Sequence, residues 1–241
     1  MGKYEKQHNI RRKRKNSFWT VVTFFAALFA VGILIWCGIG PKELMELHKQ
    51  TTSKFDTEKE TQTPWNLVLV NRDNPIPEDW EVELVEISDG QMVDARIYDP
   101  LMEMFEAARR VNLGQLPNVE SGYRSKEKQQ NLYDQKLSEF LKEGYSEKEA
   151  KNLTEQWVSV PGTSEHQLGL AVDISGEVYE IYSWLQENSY KYGFVLRYPA
   201  DKTAITGVAP EEWHYRYVGV EAATAMYEQG LCLEEYLEQL K

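Results

Sequence analysis

The stretch Ser164-Glu165-His166-Gln167-Leu168-Gly169-Leu170-Ala171-Val172-Asp173-Ile174-Ser175 constrains this chain more than any other. It sets an imidazole and a carboxylate seven residues apart in small or apolar company. Leu170, Val172 and Ile174 alternate with Ala171, Asp173 and Ser175, which predicts a short strand with Asp173 on the face opposite the three aliphatics. Fully extended, seven residues would hold His166 and Asp173 ~23 Å apart, at ~3.3 Å per residue. The two can meet only across a turn, and Gly169 is the expected pivot. Glu211-Glu212-Trp213-His214-Tyr215-Arg216-Tyr217 adds a second histidine with acid just upstream. Any one of these polar groups, taken singly, is more simply a hydrogen-bonded structural residue. As a set, His166, Asp173 and His214 form a nitrogen and oxygen donor group of the kind that holds catalytic zinc, with a fourth position left to water. The other two histidines, His8 and His48, lie outside the expected globular region.

Periodicity and turn residues organise the rest. Leu67-Val68-Leu69-Val70 is a buried strand candidate, followed by a loop from Asn71 to Pro77. Met92 to Tyr98 alternates as a second strand. Leu101, Met104, Phe105 and Ala108 recur at helical spacing, with Asp99-Pro100 as the start of that helix. A helix is expected over 126–142. Ser146 with Glu149 forms a capping-box signature for another, striped by Ala150, Leu153 and Trp157. Val178, Ile181, Tyr182 and Leu185 predict a further helix closed by Gly193. Strands are expected at Phe194 to Tyr198 and Trp213 to Val218, around a loop from Pro199 to Pro210. A helix over 220–228 and a short one past Gly230 end the chain. Helices thus surround and interrupt a small antiparallel sheet, an α+β arrangement rather than regular βαβ alternation.

Ahead of this single domain, 64–241, the chain changes character. Residues 17–40 carry no charged side chain, with Phe18, Trp19 and Trp36 near the two ends. That run of ~24 residues exceeds the ~20 needed to cross a bilayer. Seven basic residues and one acidic residue precede it, and the positive-inside rule keeps such a tail, 1–16, in the cytoplasm. A cleaved signal peptide would have a shorter apolar run and small residues at its end, whereas here bulky Trp36 adjoins Cys37. The expectation is a single-pass signal anchor in a bacterial cell membrane, a polar stalk over 41–63 and an extracytoplasmic domain. Residues 41–241 hold 20 basic and 37 acidic side chains, a net charge of −17. Nucleic acid is thereby excluded as a partner, because its phosphates demand a cationic footprint. Cys37 lies in the apolar run and Cys232 stands alone beyond it, so no intrachain disulfide is expected.

Zinc with three protein ligands lowers the pKa of its water to ~7. Peptide hydrolysis then needs a carboxylate to take the water's proton and give it to the leaving amine. Glu211 or Glu212 can supply it. A cation must also face the carbonyl oxygen as it becomes negative, and Arg124, permanently charged and forked, suits that place.

Four motifs carry a resemblance. They are Ser121-Gly122-Tyr123-Arg124-Ser125, the S-x-H-x-x-G-x-A-x-D pattern over 164–173, Gly193-Phe194-Val195-Leu196-Arg197-Tyr198-Pro199, and the E-x-W-H-Y-R-Y-V-G pattern over 211–219. Together they resemble the VanY-type D-alanyl-D-alanine carboxypeptidases, zinc peptidases of bacterial cell-wall metabolism grouped with VanX-like dipeptidases and L,D-carboxypeptidases. The resemblance implies His166, Asp173 and His214 as ligands of one Zn2+ and Glu211 as the base. It also implies Arg124 as the group that stabilises the tetrahedral intermediate, and Gln129 and Ser164 as contacts to the peptide near its terminal residue. Many relatives carry proline at the position of Glu212. On a strand Glu212 shares the face of His214, whereas on a turn Glu211 does, so spacing leaves both acids open. The implied activity is removal of the C-terminal D-alanine from peptidoglycan stem peptides. Beside it stand an L,D-carboxypeptidase acting on tetrapeptide stems and a wall-binding module without turnover. Arg197 and Arg216 are expected to brace the site or sheet, and Tyr198, Trp213, Tyr215 and Tyr217 to form core and pocket wall.

Overall fold

The computed structural model describes residues 63–241 apart from 89, 112–116 and 177. The chain enters through a 3₁₀ turn, Trp65–Leu67, and forms an antiparallel ribbon of β1 (Leu84–Ser88) and β2 (Gln91–Asp94). Helix α1 (Ala95–Arg110) leads to β3 (Asn118–Ser121), and α2 (Lys126–Lys142) and α3 (Glu147–Thr154) follow. Next come β4 (Ala171–Ser175), α4 (Glu180–Asn188), β5 (Phe194–Tyr198) and β6 (Glu211–Tyr217). Helices α5 (Val220–Gln229) and α6 (Leu233–Gln239) end the chain. Strands β3 to β6 make one antiparallel sheet in the order β3-β4-β6-β5. The result is a mixed arrangement of helices around small antiparallel sheets.

Strand alternation gives the larger sheet two unlike faces. Val172 and Ile174 of β4, Phe194 of β5 and Tyr215 of β6 enter a core completed by Ile97, Leu101 and Met104 of α1 and Ile181 and Leu185 of α4. None of these has any solvent exposure, and burying each large aliphatic contributes about 1.5–3 kcal/mol. The residues between them, Asp173, His214, Arg216 and Arg197, fall on the opposite face. There a smaller cluster of Leu67, Val195, Val218, Ala223, Met226 and Leu233 packs beneath α5 and α6. One face of the sheet therefore stabilises the fold, and the other carries charge.

Several expected elements are corrected. Leu67 to Val70 is not a strand: after the 3₁₀ turn, the Asn66 and Val68 carbonyls accept from Arg216 Nη2 at 3.2 and 2.9 Å. A buried guanidinium takes up carbonyls that a ladder partner would otherwise have satisfied. Met92 to Tyr98 divides at Asp94, and α1 begins at Ala95, ahead of Asp99-Pro100. Buried Asp94 accepts from Arg96 N at 2.9 Å and from Arg96 Nε at 2.8 Å, an N-cap that overrides the start signal of Pro100. Helix α3 has the expected capping box but stops at Thr154, which leaves Trp157 outside it and 46% exposed. Strand β6 starts at Glu211, earlier than expected.

The expected single-pass placement in the bacterial cell membrane is corrected as well. Among the described residues no helix is long and apolar enough to cross a membrane. The tail 1–16, the apolar run 17–40 and positions 41–62 of the expected stalk lie outside the described residues.

Gly169 turns the chain as its sequence position predicts, at φ +75°, and a Cβ there would lie 2.9 Å from Val82 Cγ2 and 3.0 Å from Asp94 N. Gly169→Ala is expected to destabilise the domain by about 2 kcal/mol, from left-handed strain of ~1–2 kcal/mol plus that crowding. The midpoint of urea unfolding measures it. An unmoved midpoint would show that the turn relaxes without cost.

Candidate metal and active site

Strand register sets three polar residues abreast: β3 pairs Ser121 with Asp173, and β6 pairs His214 with Asp173. His166 reaches the same point from the 3₁₀ turn Glu165–Leu168, closed by Gly169. Its Nδ1 is hydrogen-bonded to the Gly122 carbonyl at 2.8 Å, and its own carbonyl accepts from Arg124 N at 3.2 Å. A side chain at Gly122 would run into the Met92 carbonyl, so only glycine permits this close passage of backbone. The loop and the turn are laced together, and the imidazole is oriented with Nε2 towards Asp173.

Asp173 Oδ1 lies 3.2 Å from His166 Nε2 and 3.3 Å from His214 Nδ1. Bonds of ~2.1 Å in a tetrahedral zinc site space the ligand atoms ~3.4 Å apart. One donor atom from each of the three residues can be chosen within 4.8 Å of the others. His166 Nε2 and Asp173 Oδ1 are also buried without a hydrogen-bond partner, a costly state that a cation relieves. Burial pushes the His166 pKa down, towards the neutral form that binds metals. Burial would lower His214 too, but Asp173, Glu165 and Glu211 around it pull it well up. Asp173 and Glu211 stand against this imidazole with Glu165 behind it, so carboxylate oxygens face the position that a divalent cation would take. The residues present fit one zinc ion.

The two glutamates separate cleanly. Glu211 Oε2 stands 3.4 Å from His214 Nδ1, and the residue is 7% exposed. Glu212 is exposed and accepts from the Tyr179 hydroxyl at 3.3 Å. An ideal strand would have reversed them. Strand β5 pairs Leu196 with Tyr215 and then Tyr198 with Glu211, so β6 advances four residues where β5 advances two. This bulge breaks the alternation between Glu211 and His214 and turns Glu211 inward.

A cavity of about 200 Å³ opens over the cluster, and Arg124, Ser164, Glu211 and the three donor residues line it, with Tyr198, Trp157 and Trp213 on its walls. Arg124 donates from Nη2 to Asp173 Oδ2 at 2.5 Å and from Nε to Ser121 Oγ at 2.8 Å. Ser164 is nearly buried, at 3% exposure. Gln129 is not on the cavity wall. It is fully buried behind it, donating from Nε2 to the carbonyl of the lining residue Ser159 at 2.8 Å.

Glu165 is the residue that sequence reasoning passed over. It is buried, and its Oε1 lies 2.8 Å from Arg197 Nε and 3.1 Å from Arg216 Nη1, while Oε2 lies 3.4 Å from His214 Nε2. Arg197 also holds Glu234 of α6 through bonds of 2.9 and 2.7 Å. Burial alone would raise the Glu165 pKa, but Arg197 and then Arg216 outweigh it and hold the carboxyl well below the usual range. A carboxylate on the far nitrogen of a ligating histidine orients the ring. The signal available in sequence was a charge inside an otherwise small and apolar motif.

Known proteins bear on this geometry. The profile of the VanY family, D-alanyl-D-alanine carboxypeptidase, matches residues 90–220. A D-alanyl-D-alanine carboxypeptidase of Enterococcus faecalis is 52% identical over 209 residues, spanning 85% of this chain and 76% of that protein. The structure of VanYB in complex with D-alanine-D-alanine is 56% identical with a TM-score of 0.71, covering 74% of this chain and 100% of that one. A variant of the vancomycin resistance D,D-pentapeptidase VanY from a VanB-type cassette, in complex with Zn(II), is 56% identical with a TM-score of 0.69, covering 72% and 99%. With the His166, Asp173 and His214 cluster inside the matched span, the chain belongs to the VanY family of D-alanyl-D-alanine carboxypeptidases.

Proposed function

We propose that this protein is a zinc carboxypeptidase that removes the terminal D-alanine from peptidoglycan stem peptides ending in D-Ala-D-Ala. The observation that carries the reading is the buried, unpartnered donor pair of His166 Nε2 and Asp173 Oδ1, with His214 beside it and Glu211 at its edge. His166, Asp173 and His214 would hold the metal through Nε2, Oδ1 and Nδ1. When bound, zinc supplies Lewis acidity that activates a water and polarises the scissile carbonyl. Glu211 takes the proton of the attacking water and passes it to the amine of the departing D-alanine, which regenerates the carboxylate. Arg124 faces the carbonyl oxygen as it becomes negative. With Nε and one hydrogen of Nη2 engaged by Ser121 and Asp173, the Nη1 hydrogens and the second hydrogen of Nη2 remain for that oxygen. Ser164 offers its hydroxyl to the peptide's end from the cavity wall, and Gln129 serves the peptide indirectly by fixing Ser159.

The test uses the purified chain on a muramyl pentapeptide ending in D-Ala-D-Ala and on the corresponding tetrapeptide. One D-alanine per pentapeptide is expected, release being abolished by a chelator and restored by zinc. Release from the tetrapeptide alone would replace this reading with an L,D-carboxypeptidase. Zinc binding without release from either would leave a wall-binding module.

A further inference from the structure

A second cavity of about 150 Å³ adjoins the first, and Glu155, Ser159, Tyr198 and Val208 line both. The second extends from those four residues to Arg72 and the single helical turn Thr203–Thr206. A carboxypeptidase seats the last residues of its substrate at the reacting centre and must let the remaining peptide leave along the cleft. The shared wall gives that direction. The reacting carbon belongs to the first D-alanine, so the residue before D-Ala-D-Ala is only one residue, ~3.3 Å of chain, upstream of it, and Glu155 lines the same cavity as the cluster.

Glu155 stands at the junction of the two cavities, just past the end of α3. Its side chain is 22% exposed, with Oε2 3.1 Å from Arg72 Nη2 and Oε1 3.4 Å from the Tyr133 hydroxyl. The Arg72 side chain is 57% exposed. A pair so open to solvent holds weakly, and the guanidinium can swing into water without stranding a buried charge. Arg124, by contrast, is committed to Asp173. The junction thus presents a partly shielded carboxylate whose cationic partner is exchangeable.

We propose that Glu155 recognises a side-chain amine on the residue immediately upstream of D-Ala-D-Ala, the incoming ammonium taking the place of Arg72. This rests on the zinc carboxypeptidase reading and names the substrate class within it. A charge-assisted hydrogen bond to a carboxylate away from bulk water discriminates an ammonium from a neutral isostere.

The zinc-loaded full chain is assayed on three acylated tripeptides ending in D-Ala-D-Ala, with lysine, Nε-acetyl-lysine or norleucine upstream. The lysine peptide is expected to have a kcat/KM about tenfold above both others, equivalent to ~1.4 kcal/mol. The ratio should fall to about one in Glu155→Gln and rise in Arg72→Ala, where the competing cation is gone. Equal rates for the three peptides, or a ratio that survives Glu155→Gln, overturn the proposal. A lower ratio in Arg72→Ala overturns it too, because Arg72 would then support the selectivity instead of competing with the amine. No hydrolysis of any peptide would instead overturn the carboxypeptidase reading itself.

Discussion

Glu211→Ala is expected to lower kcat on a D-Ala-D-Ala peptide by roughly 10²–10⁴-fold, the range for loss of a positioned general base, with zinc content unchanged. Glu211 is not among the three proposed ligands, and its Oε2 lies 3.4 Å from His214 Nδ1. It therefore borders the place where water must be deprotonated without being needed to hold the ion. Glu211→Gln, which keeps the shape and removes the basicity, should show the same loss. Glu212→Ala should stay close to the parent, because Glu212 points to solvent and Tyr179. Single-turnover kinetics beside metal analysis of each variant would decide. Full turnover in a zinc-loaded Glu211→Ala protein, with loss in Glu212→Ala, would transfer the role to Glu212.

Glu165→Ala carries the largest expected effect on stability. It removes the anion shared by two fully buried guanidiniums, Arg197 and Arg216. Arg197 retains Glu234, but Arg216 loses its ion-pair partner among the described residues. Breaking a buried pair from one side costs about 3–5 kcal/mol. The same substitution frees Nε2 of His214 from its carboxylate, and losing such support lowers metal affinity by roughly 10–100-fold. Denaturant unfolding of the metal-free protein reads the first effect, and competition for zinc with a chromophoric chelator reads the second. Lower stability with unchanged zinc affinity would make Glu165 a brace for the two arginines with no part in orienting His214.

Local chemistry made much of this architecture legible in sequence. The alternation from Leu170 to Ser175, the left-handed Gly169, the Ser146–Glu149 capping box and strand β5 all follow from neighbours within a few residues, and each is present as expected. Leu67 to Val70 misled because hydrophobicity reports burial, not pairing: the carbonyls beside it go to Arg216, some 150 positions away. The start of α1 misled for a related reason. Pro100 is a strong local signal, but the buried Asp94–Arg96 cap sets the boundary.

Residue order alone established which donors exist, that His166 and Asp173 must meet across a turn, and that His214 could join them on a strand. Those facts depend on residue identity and on the short-range periodicities of the backbone. Long-range packing selected the glutamate that faces the cluster, since the bulge in β6 arises from its register against β5 and inverts the ideal alternation. It also decided that Gln129 lies behind the cavity wall, that Glu165 backs His214, and that Arg197 and Arg216 neutralise it. Burial and charge pairing between distant segments depend on how sheet and helices pack, and no spacing along the chain encodes that distance.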